Sequence, residues 1–201
     1  MSIVKIKEYH EPEINRREIL RYMQAKGGDS ALDALVERGL KLIEDKLCFR
    51  VCYAEFPVSL RDGALDLGFA TTDSLDLAKC IDGCERILLF AATVGIELDR
   101  QILRYSRLEP SMALCLQAIG SERAEALCDV FCDDMARQYN EQGFSLRPRF
   151  SAGYGDLPLS LQEDIIKTLN TPKNIGVSLN ESLLMSPSKS VTAIIGIKGE
   201  K

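Results

Sequence analysis

The residues able to do chemistry are few, and their types narrow the field. His10 is the only histidine in the chain. A triad with an imidazole base, a histidine general acid or a His-ligated zinc site is therefore all but excluded. Most of the cysteines fall in pairs at i, i+4: Cys48 and Cys52, Cys80 and Cys84, Cys128 and Cys132. A metal would need two such pairs to converge as thiolates. Cys128 and Cys132 instead fit one helical turn beside Leu127 and Phe131, where a free thiol behaves as a small buried hydrophobe. No metal is expected. The run Gly153-Tyr154-Gly155-Asp156-Leu157-Pro158 fails the dinucleotide fingerprint at its last position, and Pro158 stands where the helix should begin. A Gly-x-x-x-x-Gly-Lys-Ser/Thr phosphate loop is absent. What remains is Arg149-Phe150-Ser151-Ala152-Gly153-Tyr154, which sets a guanidinium, a glycine and a phenol close together.

The chain that must position these groups has 201 residues, enough for a single domain (1–201) with a real core. A formal net charge of -5, with Arg137, Arg147 and Arg149 as the nearest approach to a basic cluster, argues against nucleic acid. No apolar run is long enough to span a membrane. An odd number of cysteines, in a chain large enough to fold without staples, reads as reduced thiols in a cytoplasmic protein.

Met1 to Lys7 alternates apolar and charged residues as an edge strand does, and lacks the apolar run and cleavage site of a signal peptide. A helix is predicted from Ile14 to about Ala25, ended by Gly27-Gly28. A second, capped by Asp29 or Ser30, runs to about Leu47. Strands follow at Phe49 to Phe56 and Ala64 to Thr71, separated by the turn signal Arg61-Asp62-Gly63. A short helix begins at Asp73. Arg86 to Val94 reads as a fully buried strand closed by Gly95, and a helix covers about Glu97 to Arg107. The longest helix spans Pro110 to about Tyr139, with a break expected at Gly120. Strands near Ser145 to Phe150 and Ser182 to Ile197 flank a helix at about Ser160 to Leu169. Helices in blocks and irregularly placed strands make the class α+β.

From Ile81 onward the order of features resembles the reactivation (S-adenosylmethionine-binding) domain of cobalamin-dependent methionine synthase and its short stand-alone relatives. Cys84-Glu85-Arg86-Ile87-Leu88-Leu89-Phe90-Ala91-Ala92-Thr93-Val94-Gly95 is similar to the strand and turn of the short relatives. Gln117-Ala118-Ile119-Gly120-Ser121-Glu122-Arg123-Ala124-Glu125-Ala126 is similar to their central helix, with its Glu in an Ala-Glu-Ala setting. Arg149 to Tyr154 matches the family's Arg-x-x-x-Gly-Tyr cofactor motif. Ser178-Leu179-Asn180-Glu181-Ser182-Leu183-Leu184-Met185-Ser186-Pro187, followed by Ser190-Val191-Thr192, resembles a family strand entering a turn. Residues 81–201 thus resemble the domain core, and 1–80 look like the short relatives only. Ala152 stands where many members have Pro. The family's further tyrosine-bearing strand has no counterpart before Lys201, which implies a smaller cofactor surface.

The resemblance implies an activation-domain-like fold, a mixed or antiparallel sheet packed with long helices. It implies S-adenosylmethionine as cofactor. Arg149 would offer a two-pronged donor to its carboxylate, worth about 1.5–3 kcal/mol as a charge-assisted bond. Gly153 would admit close main-chain approach, Tyr154 would stack on adenine or lie against the sulfonium, and Glu125 would hold the ammonium. Cobalamin would be met only through a partner, because Glu8-Tyr9-His10-Glu11-Pro12-Glu13 lacks the Asp and Gly of a corrinoid-ligating Asp-x-His-x-x-Gly. The implied role is an accessory protein in methionine biosynthesis. It supports reductive methylation of cobalamin on a separate methionine synthase or corrinoid methyltransferase, with a flavodoxin-type reductant. The alternative is a docking or regulatory partner of a corrinoid protein without cofactor binding.

Overall fold

The computed structural model describes residues 2–25, 29–61 and 63–199. The chain opens with β1 (Lys5–Tyr9), an edge strand with Lys7 and Tyr9 turned inward. Asn15 caps α1 (Arg16–Tyr22) by accepting the Glu18 N–H at 3.2 Å. The helix is shorter than expected because Gln24 turns left-handed at φ 54°. Gly27 and Gly28, the expected stop, lie outside the described residues. Asp29 caps α2 (Ser30–Ile43) by accepting the Ala31 N–H at 2.9 Å. This helix ends before Leu47, since Glu44 is extended at ψ 132°.

Next come β2 (Phe49–Pro57) and a small sheet of β3 (Ser59–Arg61), β4 (Ala64–Asp66) and β5 (Thr71–Thr72). The strand expected from Ala64 to Thr71 is cut at Asp66, whose carboxylate accepts the N–H of Gly68. The turn expected at Arg61 to Gly63 joins β3 to β4, its Asp62 lying outside the described residues. Then follow α3 (Leu75–Cys80), β6 (Arg86–Thr93), α4 (Glu97–Leu108) and α5 (Pro110–Asn140). The remainder is β7 (Phe144–Leu146), α6 (Leu161–Leu169), α7 (Thr171–Asn174), β8 (Ser178–Leu179), β9 (Met185–Ser186) and β10 (Ser190–Gly199).

The main sheet is antiparallel throughout, in the order β1-β2-β6-β10-β7. Its central strand explains the apolar run Arg86 to Val94. Leu88, Phe90 and Ala92 face a core formed with α1, α2, α4 and α5, while Ile87, Leu89 and Ala91 face a second core under α3 and α6. The α+β architecture is that of helices covering both faces of one antiparallel sheet.

Two further differences from expectation lie in α5 and before β10. α5 is unbroken at Gly120, which is a packing glycine: an added Cβ would sit 2.2 Å from Leu98 Cδ2 and 2.9 Å from Lys189 Cγ. The strand expected from Ser182 to Ile197 is split into the short β9 at Met185–Ser186, paired with β8, and β10 from Ser190. Before it the Asn180 side chain accepts the N–H groups of Ser182 and Leu184, and Leu183 is left-handed at φ 60°.

Candidate functional site at the sheet edge

The site is built on α5, which a buried ion pair fixes to the N-terminal segment. Arg123 is fully buried in the middle of the helix, occupying a core position between Ile119 and Leu127. Its guanidinium donates to both carboxylate oxygens of buried Glu122 at 2.6 Å, to Pro12 O at 2.6 Å and to Glu13 O at 2.7 Å. Glu122 in turn accepts the Asn15 N–H at 2.8 Å. The N-terminal segment is thereby clamped against the helix. A cleft of about 680 Å³ opens between α1 and α5, and Glu13, Glu18, Glu122, Glu125 and Asp129 line it. Arg16 and Arg21 line it as well, and Glu18, Glu122, Glu125 and Asp129 are each paired with an arginine, so the cleft is of mixed charge.

Beside the cleft runs the edge of the sheet. β7 pairs with β10 from Phe144 to Leu146, and Pro148, with no N–H to donate, interrupts the ladder. This is why the strand expected to reach Phe150 stops early. Phe150 alone rejoins β10, exchanging two 2.8 Å hydrogen bonds with Ile194. Strand alternation sends Phe150 into the second core and Arg149 toward α5. There the guanidinium donates to Asp129 at 2.7 Å and to Glu125. Burial pulls Arg149 down, but the bond from Asp129 and the nearby acidic groups more than offset it and hold its proton more firmly than usual. Burial pushes the thiols of Cys128 and Cys132 up despite the neighbouring Arg149.

The chain then folds into a tight loop. Gly153 (φ 85°) donates its N–H to Leu157 O at 2.9 Å, and a Cβ there would touch Leu159 Cδ1 at 3.0 Å. At Gly155 (φ 55°) a Cβ would lie 2.5 Å from Asp76 Oδ2. Asp156 fastens the loop to the start of α3, accepting the Leu75 N–H at 2.8 Å and the Ser74 hydroxyl. The Ser74 bond and those main-chain donors hold its carboxyl below the ordinary range. Ala152 is buried in the second core, whereas Tyr154 is 73% exposed, edge-on to Phe150 at 6.5 Å. The loop therefore presents an aromatic ring outward from a rigid base.

Past Ile194 no strand pairs with this edge of β10 among the described residues. By antiparallel alternation the main-chain groups of Thr192 point the same way as those of Ile194, toward that unpaired side. The Thr192 hydroxyl is buried and has no partner.

Of the residues singled out in the sequence, Arg149 and Glu125 meet directly, and Ala152, Gly153 and Tyr154 follow in the adjoining loop. Arg149 is already engaged by two carboxylates and Glu125 by Arg149, an arrangement the motif did not disclose. Glu122, Arg123 and Asp156 stand within segments noted in the sequence, but their roles as clamp and loop anchor are visible only in the structure. The signal for Arg123 was its place in the series Leu116, Ile119, Arg123, Leu127, a charge at an apolar position. His10 lines a different hollow with Glu8, Asp45 and Cys48. All seven cysteines are free thiols, and no cluster of potential metal ligands occurs among the described residues. No helix there is long and apolar enough to cross a membrane.

No protein-family model matches the chain, and no curated protein matches it in sequence. Among solved structures, the MetH reactivation domain bound to AdoHcy superposes with a TM-score of 0.70 at 14% identity. The match covers 98% of this chain and 79% of that one. The chain has the fold of that domain.

Proposed function

We propose that this protein binds S-adenosylmethionine at the sheet edge and acts as an accessory reactivation protein. It would support reductive methylation of the cobalamin on a separate methionine synthase or corrinoid methyltransferase. The observation that carries the reading is the meeting of Arg149 with Glu125 and Asp129 beside the Ala152–Tyr154 loop, where Phe150 bonds to Ile194 and no described strand pairs with that edge of β10 beyond it. Carboxylates interleaved with arginines along α1 and α5 fit a ligand that carries both charges, as an α-amino acid does. The shared fold with a domain that holds AdoHcy supports it from a second direction.

S-adenosylmethionine supplies a methyl group on a positively charged sulfur. The chain's own residues bind and orient. Glu125, with Asp129 behind it, offers negative charge to the ammonium, and the exposed ring of Tyr154 offers a stacking face. Gly153, left-handed at φ 85°, shapes the loop that carries the ring. Holding one reactant against another is the main demand, and such positioning needs neither a nucleophile nor a general base. No step is asked of His10.

A second reading, a docking or regulatory partner without cofactor, is favoured by the engagement of Arg149 with Glu125 and Asp129. Calorimetry with S-adenosylmethionine separates the two. Heat of binding from wild type that falls in Arg149→Ala supports the first, and no heat at millimolar ligand supports the second.

A further inference from the structure

One cation near this edge is built into place yet forms no ion pair among the described residues. Lys189, immediately before β10, runs its stem along α5 so closely that a Cβ on Gly120 would meet its Cγ at 2.9 Å and its Cε at 3.1 Å. Its ammonium donates to Ser121 Oγ at 3.0 Å. The Ser121 hydroxyl donates in turn to Gln117 O at 3.0 Å, so its oxygen remains the acceptor. Among the described residues no carboxylate forms an ion pair with Lys189, although Arg149 nearby has two. Asp99 is the acidic group on the neighbouring helix, and its oxygens already accept the Ser188 N–H at 2.7 Å and the Ser188 hydroxyl. Burial disfavours the Lys189 charge and Asp99 only partly opposes this, so an ammonium bonded to a hydroxyl alone gains from an anion that completes it.

The position of this cation is informative. Ser121 and Glu125 are four apart on α5 and share a face, with Cβ atoms about 5–6 Å apart. A positive and a negative group so placed match the two ends of an α-amino acid. Arg149 lies on the other side of Glu125 and is neutralised there.

We infer that Lys189, steadied by Ser121, takes the carboxylate of the ligand's amino-acid end while Glu125 takes its ammonium. The inference rests on the proposed S-adenosylmethionine site and changes the assignment within it. Arg149 becomes a positioning residue that orients Glu125, and Lys189 is the carboxylate anchor. Glycine at 120 leaves room both for Leu98 and for the lysine stem.

The test compares two probes by calorimetry: S-adenosylhomocysteine, and 5′-methylthioadenosine, which lacks the amino-acid end. Lys189→Met is expected to weaken S-adenosylhomocysteine about tenfold, the loss of one charge-assisted bond, and to leave 5′-methylthioadenosine within about twofold. Lys189→Arg should restore part of the loss. Ser121→Ala, a smaller change that keeps the lysine, should weaken S-adenosylhomocysteine alone and by less. Equal weakening of both probes in Lys189→Met, or none for either, overturns the assignment while the site itself stands. Loss of discrimination in Arg149→Met but not in Lys189→Met overturns it in favour of Arg149. If wild type binds neither probe, the functional reading fails and takes this inference with it. Circular-dichroism melts of each variant verify that they are folded.

Discussion

Glu122 and Arg123, adjacent in sequence and both buried, bond to each other through two 2.6 Å contacts in the middle of α5. Together they seize the chain at Pro12, Glu13 and Asn15. A buried pair of this kind adds little net stability against an apolar replacement, but removing one partner strands the other. Arg123→Met should therefore cost about 3–5 kcal/mol in urea unfolding. The double variant Glu122→Leu with Arg123→Met should recover part of that. A cost under about 1 kcal/mol for the single variant would mean the clamp is dispensable.

Gly120 gives a prediction in which two effects compete. Alanine is the better helix former by about 1 kcal/mol. Its methyl, however, would lie 2.2 Å from Leu98 Cδ2, and overpacking of a tight contact costs about 1–3 kcal/mol. Packing should win, so Gly120→Ala lowers the unfolding midpoint. A raised midpoint would show that α4 and the Lys189 stem give way easily.

Asp156 makes stability depend on pH. Its carboxyl is held below the ordinary value by the Ser74 hydroxyl and the Leu75 and Asp76 N–H groups. Folded-state depression means its contribution is complete above the unfolded value of about 3.9. The contribution fades as pH falls through the folded value. The difference in stability between wild type and Asp156→Asn should thus be present at pH 6 and shrink below about pH 4. Thermal melts across that range measure it, and a pH-independent difference would contradict the capping role.

Tyr154 should separate binding from folding. A ring that is 73% exposed carries little packing, so Tyr154→Ala should shift stability by no more than about 0.5 kcal/mol. Aromatic stacking on a base is worth about 1–3 kcal/mol, so the same change should weaken S-adenosylhomocysteine and 5′-methylthioadenosine alike. A change that spared both would remove the ring from the site.

Much of this architecture was legible in the sequence, for local reasons. Arg86 to Val94 could only be a strand buried on both faces, and Asn15, Asp29 and the apolar spacing marked the helices. Errors came where a local signal met a tertiary demand. Gly120 reads as a breaker until Leu98 and Lys189 are seen against it. Ser182 to Leu184 reads as strand until the Asn180 side chain folds it into a turn, which leaves only Met185–Ser186 paired before β10. The site was legible as a motif but not as a set of partnerships. Arg149 finds Glu125 and Asp129 only because Pro148 interrupts the edge and Phe150 rejoins β10, neither of which spacing alone discloses.

The most direct test of the functional reading is calorimetric titration of S-adenosylmethionine into wild-type protein and into Glu125→Gln. Wild type should bind with measurable heat. Glu125→Gln, nearly isosteric but without the charge offered to the ammonium, should bind about tenfold more weakly, in keeping with loss of a charge-assisted bond. Absence of heat from wild type at millimolar ligand, in protein whose melt shows it folded, would contradict the account.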